Sequence, residues 1–338
     1  MKVGFDISQT AHIGGVSVYT ENLTMELSKL KDLDLVFFYS SLRKPYHGTL
    51  KNVKQFFLPP TLFEILFNRI RVLPIESFIG EVDIFHSSDW IQPPTRAKKV
   101  TTYHDVIPLK YPQWSHPKIV AVHKKRLEIV EKEIDMVIAV SKSTKKDLLE
   151  ISKIPAEKIV VIYEGVSEIF KPQSDEDIED FRKKNNLPKE FLLSIGGVGK
   201  RRNLERIKQA SKDFNLVIMG ETIKNLKYYE LPLLYASAKA LIYPSFYEGF
   251  GLPILEAFAC GIPVITSNIS SMPEVAGEAA IYVDPENTEE LAKKIKLIVE
   301  DDSKRKELIN RGFERVKLFS WQKCAQETAK VYSKLMNL

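Results

Sequence analysis

Short runs of apolar, largely β-branched or aromatic residues alternate along the chain with stretches whose apolar positions recur every three to four residues. That alternation predicts parallel strands joined by helical crossovers. In the first half the strand candidates are 2–7, 33–39, 82–85, 99–103, 136–140 and 159–163. Several are apolar at nearly every position, as strands covered by helices on both faces must be. The series breaks at Phe170-Lys171-Pro172-Gln173-Ser174 and the acidic Asp175-Glu176-Asp177. A second series follows with 191–195, 216–219, 240–243, 263–266 and 280–283, and the tail from 302 to 338 is helical in pattern. There is no repeat of fixed period, low-complexity tract or heptad seam.

The pattern predicts an α/β protein of two doubly wound domains, 1–171 and 172–318, with a terminal helix over 319–338. Ligands are expected in the cleft the domains face, at the carboxyl ends of the strands. The length of 338 residues agrees with two domains, and 44% hydrophobic with 28% charged residues excludes a disordered polymer. With 49 basic against 44 acidic residues the formal net charge is +5. That surplus lacks the dense patch of a nucleic-acid binder and suits an anionic small substrate or a lipid surface. Cys260 and Cys324 form no CxxC pair, which excludes a disulfide framework and a cysteine zinc site and makes a reducing cytoplasm the expected compartment. No apolar run reaches spanning length, and Met1-Lys2-Val3-Gly4-Phe5-Asp6-Ile7 reads as a strand instead of a signal peptide.

The first strand-to-helix turn carries Gly14-Gly15, which either makes a plain tight turn or lets the backbone approach an anion at the helix start. The dinucleotide fingerprint GxGxxG is absent, which counts against a nicotinamide oxidoreductase. His104 and Asp105 follow the strand candidate 99–103. A histidine there caps a loop or faces the cleft, where it bonds a substrate hydroxyl. His12, His86, His116 and His123 carry weaker claims, His86 following a strand. Asp32-Leu33-Asp34 precedes its strand and reads as turn chemistry, not a metal site.

In the second half, Gly196-Gly197-Val198-Gly199-Lys200-Arg201-Arg202-Asn203 follows the strand candidate 191–195. A glycine loop delivering three cations to a helix start suits a diphosphate, because a guanidinium fork matches phosphate oxygens. A merely solvated basic helix start would oppose the helix dipole. The richest segment is Pro244-Ser245-Phe246-Tyr247-Glu248-Gly249-Phe250-Gly251-Leu252-Pro253-Ile254-Leu255-Glu256. Leu252-Pro253 opens a helix. Glu248 then lies in the loop before it and Glu256 about one turn inside, two acids at different depths of one cleft mouth, each available to different hydroxyls of an extended ligand.

This segment resembles the E-x7-E signature of retaining glycosyltransferase family 4, the group 1 transferases with the GT-B fold. The resemblance runs over nearly the whole chain, through Gly14-Gly15, Thr102-Tyr103-His104-Asp105 with Pro108, Val140-Ser141-Lys142-Ser143, the 196–203 loop, Tyr243-Pro244-Ser245 with 248–256, and Pro263-Val264-Ile265 with Pro273-Glu274-Val275. The His104-Asp105-Val106-Ile107-Pro108 form looks most like mannosyl- or other hexosyltransferases of bacterial and archaeal polysaccharide assembly. The resemblance implies that Glu248 holds hydroxyls of the donor sugar and Glu256 the nucleotide ribose. Arg201 and Arg202 would hold the diphosphate, Arg202 standing where lysine is more usual. Phe250, Gly251 and Leu252 would supply backbone N–H groups, Gly14 and Gly15 would approach the phosphate from the first domain, and His104 would contact the transferred sugar near its anomeric side. Some relatives carry a further arginine right after the first glycine of the phosphate loop, where this chain has Gly197. The helix from about 321 is expected to cross back onto the first domain.

The implied reaction is metal-independent, cofactor-free transfer of a hexose from a nucleotide diphosphate sugar, GDP-mannose or a UDP-hexose, to a hydroxyl of a glycan or lipid-linked acceptor. Configuration would be retained by same-face attack, with the leaving phosphate taking the acceptor's proton. Two alternatives stay open at this point: a glycoside hydrolase using Glu248 and Glu256 as its carboxylate pair, and a non-catalytic nucleotide- or glycan-binding protein of the same fold. Between residues 41 and 71, Arg43, Lys44, Lys51, Lys54, Arg69 and Arg71 face a single acid, Glu64, and interleave with Tyr46, Phe56, Phe57, Phe63 and Phe67. That mixture is either a helix packing its apolar residues inward or a peripheral contact with an anionic membrane, at the inner face of the cytoplasmic membrane.

Overall fold

The computed structural model describes residues 1–12, 14–196 and 199–337, and Gly197 lies outside these described residues. The chain divides into two compact units, one of Met1–Gly165 with Trp321–Leu338 and the other of Val166–Ser320.

Unit 1 is built on a seven-stranded parallel sheet in the order β3-β2-β1-β4-β5-β6-β7. Its strands are β1 (Lys2–Asp6), β2 (Asp34–Ser40), β3 (Val53–Phe56), β4 (Ile84–Ser87), β5 (Lys98–Tyr103), β6 (Met136–Ala139) and β7 (Ile159–Val161). The central strands are buried along almost their whole length, which explains why their sequences show no polar alternation. β3 is absent from the strand candidates. It is an edge strand of four residues with Lys54 exposed, so it has neither the length nor the apolar run that reveals the others. Strand β4 starts two residues later than expected and runs through His86, which is therefore a core residue and not one that follows the strand.

The Trp321–Met336 helix packs on the Gly15–Leu27 helix of the same unit, with Trp321 edge-on to Tyr19 at 5.8 Å. Its buried residues Trp321, Cys324, Ala325, Thr328, Val331, Tyr332 and Leu335 recur at three- and four-residue spacing and form one stripe. Each large side chain in that stripe contributes about 1.5–3 kcal/mol by leaving water. Thus 18 residues at the end of the chain complete the core of its beginning.

Unit 2 holds a five-stranded parallel sheet in the order β12-β11-β10-β8-β9, made of β8 (Leu192–Ser194), β9 (Leu216–Ile218), β10 (Ala240–Tyr243), β11 (Val264–Ser267) and β12 (Ile281–Val283). Its core joins Leu192, Ile242 and Ile265 of the sheet to Ile207, Ile295 and Leu308 of the covering helices. Both units are Rossmann-like α/β folds whose sheets reverse winding direction at β1/β4 and at β8/β10, the places where parallel sheets open toward ligands. Among the described residues no helix is long and apolar enough to cross a membrane.

Candidate functional site

At the carboxyl end of β8 the chain turns through Gly196 and Gly199 into a single 3-10 turn, Lys200–Arg202, and enters the Leu204–Ala210 helix only after Asn203, whose φ is +60°. The cations therefore sit on the turn before the helix, not in its first residues. Lys200 is exposed, while Arg201 and Arg202 fold back onto the loop that follows β10. Arg201 Nη1 donates to Glu248 Oε2 at 2.5 Å, and Arg202 Nη1 lies 2.6 Å from Glu248 Oε1. Arg202 also donates to the Tyr243 hydroxyl and stands over that ring at 5.2 Å. Burial works against the Arg202 charge, and Tyr243 and Glu248 outweigh it, so the guanidinium is held in its ionised form. Gly196 makes room for this arrangement. A Cβ there would stand 2.7 Å from Arg202 Cζ, and its φ of +122° is one that side-chain-bearing residues rarely adopt.

The loop carrying Glu248 is pinned by serines at the end of β11. Ser267 Oγ donates to Ser245 O at 2.6 Å, Ser270 Oγ to Glu248 O at 2.7 Å, and Ser271 Oγ to Phe250 O at 2.7 Å. On the other side Phe246 N donates to Arg201 O at 2.8 Å, which ties the two loops into one body. Gly251, at φ +111°, is the N-cap of the Leu252–Ala259 helix, so the N–H groups of Gly251 and Leu252 belong to its opening. Phe250 is buried edge-on to Phe319. Glu256 is the fifth residue of this helix and is buried, accepting a hydrogen bond of 2.5 Å from the Tyr235 hydroxyl. Burial, and then Glu256 itself, push the Tyr235 hydroxyl well above its ordinary range and keep it a donor.

The structure thus brings Arg201, Arg202 and Glu248 into one ionic cluster. Glu256, on the helix that follows, accepts from Tyr235 of the Leu231–Ala236 helix. Sequence reasoning also passed over Tyr235 and the serines 267, 270 and 271, which carry no spacing signal of their own. Tyr243, the last residue of β10, takes its part in the cluster through the Arg202 contact.

In unit 1, His104 follows β5 and is mostly buried, with Nδ1 3.3 Å from Glu164 Oε1 and its ring edge-on to Tyr19 at 4.5 Å. The sequence signal for Glu164 is its place just beyond the strand candidate 159–163, which marks it as a strand-end acid. Asp105 Oδ1 accepts from Ile107 N, fixing the turn after His104. Behind lies a buried relay in which Thr102 Oγ1 meets both the Tyr19 hydroxyl at 3.0 Å and His86 Nε2 at 2.9 Å, while His86 Nδ1 meets the Tyr332 hydroxyl at 2.6 Å. Burial lowers the His86 pKa to about 3, so this ring is neutral and structural. Gly14 and Gly15 open the Gly15–Leu27 helix, and a Cβ on either would meet nothing within 4 Å.

The segment between 41 and 71 departs from the membrane expectation in its aromatics. Phe63 and Phe67 are fully buried in a ring cluster with Phe38 and Phe78, and Phe56 joins it, because the turn after β3 folds this face onto the sheet. Only Phe57 of the five is exposed, and Arg69 and Arg71 pair with Glu64 and Glu133. Leu62, Ile65, Ile70, Val72 and Leu73 stay exposed instead.

Two family models match the chain: Glycosyltransferase Family 4 over residues 13–168 and Glycosyl transferases group 1 over residues 175–315. The O-antigen chain mannosyltransferase B of Escherichia coli is 31% identical over 284 residues, which cover 75% of this chain and 74% of that protein. Among solved structures, sucrose-phosphate synthase from Thermosynechococcus elongatus superposes with a TM-score of 0.80 at 20% identity, over 99% of both chains. The Anabaena protein HepE, solved with UDP and glucose, superposes with a TM-score of 0.74 at 17% identity, over 99% of this chain and all of its own. The two parallel-sheet units are accordingly those of the GT-B glycosyltransferase fold.

Proposed function

The chain belongs to the family 4, group 1 glycosyltransferases, and from that premise we propose that it moves a hexose from a nucleotide diphosphate sugar to a hydroxyl of a growing glycan or lipid-linked acceptor, with retention of configuration. Mannose from a GDP donor is the first candidate, supported by the O-antigen mannosyltransferase relative. A UDP-hexose is the second, supported by the UDP-bound fold relative. Family membership sets aside the hydrolase and the non-catalytic readings.

The observation that carries the proposal is the cluster of Arg201 and Arg202 on Glu248 at the strand ends of unit 2. Breaking a sugar–phosphate bond develops negative charge on the leaving diphosphate, and two guanidiniums fixed by hydrogen bonds stabilise that charge without reorganising. The opening of the Leu252–Ala259 helix adds backbone donors to the same anion. Glu248 then turns from its arginines to hydroxyls of the donor sugar, and Glu256 holds the ribose. His104, oriented by Glu164, contacts the sugar near its reacting carbon. The leaving phosphate takes the acceptor proton, so no side chain acts as nucleophile and no metal or other cofactor is called for. Side chains exposed between 57 and 73 rest on an anionic membrane surface while a lipid-linked acceptor is served.

The test is a screen of GDP- and UDP-sugars with the purified protein, reading released nucleotide with and without glycan acceptor, in the presence of chelator. Turnover confined to one nucleotide sugar, with an α-linked product, is expected. Absence of turnover with every donor and acceptor, by a protein that binds nucleoside diphosphate, would overturn the reading.

A further inference from the structure

The Trp321–Met336 helix reaches the surroundings of His104 through a chain of buried hydroxyls that the reaction itself does not use. Tyr332 on that helix and His86 on β4 lie 246 positions apart in the sequence, and their 2.6 Å hydrogen bond continues from His86 through Thr102 of β5 to the Tyr19 hydroxyl. All four side chains are buried. Burying polar groups costs free energy that apolar residues of the same shape avoid, and phenylalanine or valine would fill the places of Tyr19, Tyr332 and Thr102. A fully joined polar chain in a core gives something else in return, a single fixed arrangement of the groups it links.

What the chain fixes is one ring. The Tyr19 hydroxyl is held by Thr102 Oγ1 at 3.0 Å, and Trp321 stands edge-on to the same ring at 5.8 Å. On its other side the Tyr19 ring meets His104, with centroids 4.5 Å apart and planes at 81°. The His104 hydrogen bond to Glu164 through Nδ1 is long, at 3.3 Å, and one such bond leaves an imidazole free to rock about it. An edge-to-face pair has a preferred angle, so a Tyr19 ring that cannot turn removes that freedom. With Nδ1 turned to the carboxylate, Nε2 is the nitrogen left to meet a hydroxyl.

We propose that Thr102 and Tyr332 are positioning residues for His104, acting through the Tyr19 ring, so that the Trp321–Met336 helix helps to aim Nε2 as well as to complete the core. The effect of that aim on transfer rests on the reading of His104 in the preceding subsection; the orientation of the ring does not.

Thr102→Val and Thr102→Ser in the full chain separate aiming from packing. Valine keeps the shape and removes the hydroxyl that joins Tyr19 to His86, whereas serine keeps the hydroxyl and gives up a methyl group. In Thr102→Val a kcat lowered about three- to tenfold, with the donor KM unchanged, is expected. The His104 ring signals of histidine-labelled protein, assigned by their absence from His104→Gln, should shift with it. Thr102→Ser should recover most of both effects, and Tyr332→Phe, at the far end of the chain, should lower kcat about two- to threefold. Should Thr102→Val fail to fold, Tyr332→Phe carries the test. Wild-type kcat or unmoved His104 signals in the folded variants overturn the proposal, and so does a lowered melting temperature as their sole change. Shifted His104 signals in a protein that transfers no sugar leave the positioning standing and overturn the transferase reading alone.

Discussion

Replacing Glu248 by Gln separates two things the same carboxylate does. Its oxygens lie 2.5 Å from Arg201 and 2.6 Å from Arg202, the groups proposed to bind the donor diphosphate. The carboxylate and the diphosphate therefore compete for one pair of cations. A charge-assisted hydrogen bond contributes about 1.5–3 kcal/mol. The Arg201 side chain is 27% exposed, so solvent screens part of that, and the net relief for an incoming diphosphate is about 1–2 kcal/mol, roughly 5- to 30-fold in affinity. Glu248→Gln should accordingly bind GDP or UDP more tightly than wild type. Its folding stability should fall by about 2–4 kcal/mol, because Arg202 is left buried without its carboxylate. Ligand at a hundred times its dissociation constant returns about 2.7 kcal/mol, so nucleotide should raise the melting temperature more in the variant than in wild type. Transfer should nevertheless drop by a factor of about a hundred or more, since the sugar hydroxyls lose their acceptor. Calorimetry with the nucleoside diphosphate, thermal melts and product analysis read the three effects. Weaker nucleotide binding by a folded Glu248→Gln protein would refute the competition, and wild-type transfer would refute the site.

Arg202→Ala should abolish most transfer and weaken nucleoside diphosphate binding by about 1.5–3 kcal/mol, read by calorimetry on a protein whose circular dichroism is unchanged. Glu164→Gln should lower kcat through loss of His104 orientation while leaving nucleotide affinity alone, and Glu164→Asp should recover part of the rate; equal losses in both would make Glu164 a structural residue only. Burial lowers the His86 pKa to about 3 and the His123 pKa to about 4, below the unfolded value of 6.5, so the unfolded chain binds more protons. Their contribution is present above pH 6.5 and is lost as pH falls toward 4, with a slope of about 2.7 kcal/mol per pH unit for two protons, and denaturant melts of His86→Gln should show about half that slope. Ile70→Ser with Val72→Ser, at two of the exposed apolar positions, should reduce salt-sensitive binding to anionic liposomes several-fold, whereas binding to neutral liposomes should stay negligible throughout.

Much of the unit 2 cluster was legible because its residues are unusual where they stand. Two glycines around a phenylalanine, and three cations behind a glycine loop, are poor choices for a connector, and both segments follow strands that declare themselves by unbroken apolar runs. The 41–71 segment was less legible. An aromatic counts as apolar whether it faces the sheet or the solvent, and Phe63 and Phe67 turn inward only because β3 adds an edge to the sheet and brings the following turn over Phe38.

The sequence by itself determined two α/β series of strands and helices, the break between them near residue 170 and the motifs that identify the family, since these rest on local periodicity and on residues adjacent in the chain. Tertiary structure alone decided which groups meet: Arg202 with Tyr243 across 41 positions, Glu256 with Tyr235 across 21 and His104 with Glu164 across 60. Parallel sheets pair strands that are far apart in sequence and gather their carboxyl-end loops in one place. The chemistry of each loop is therefore written locally, but its partner is set by sheet order, which periodicity does not encode.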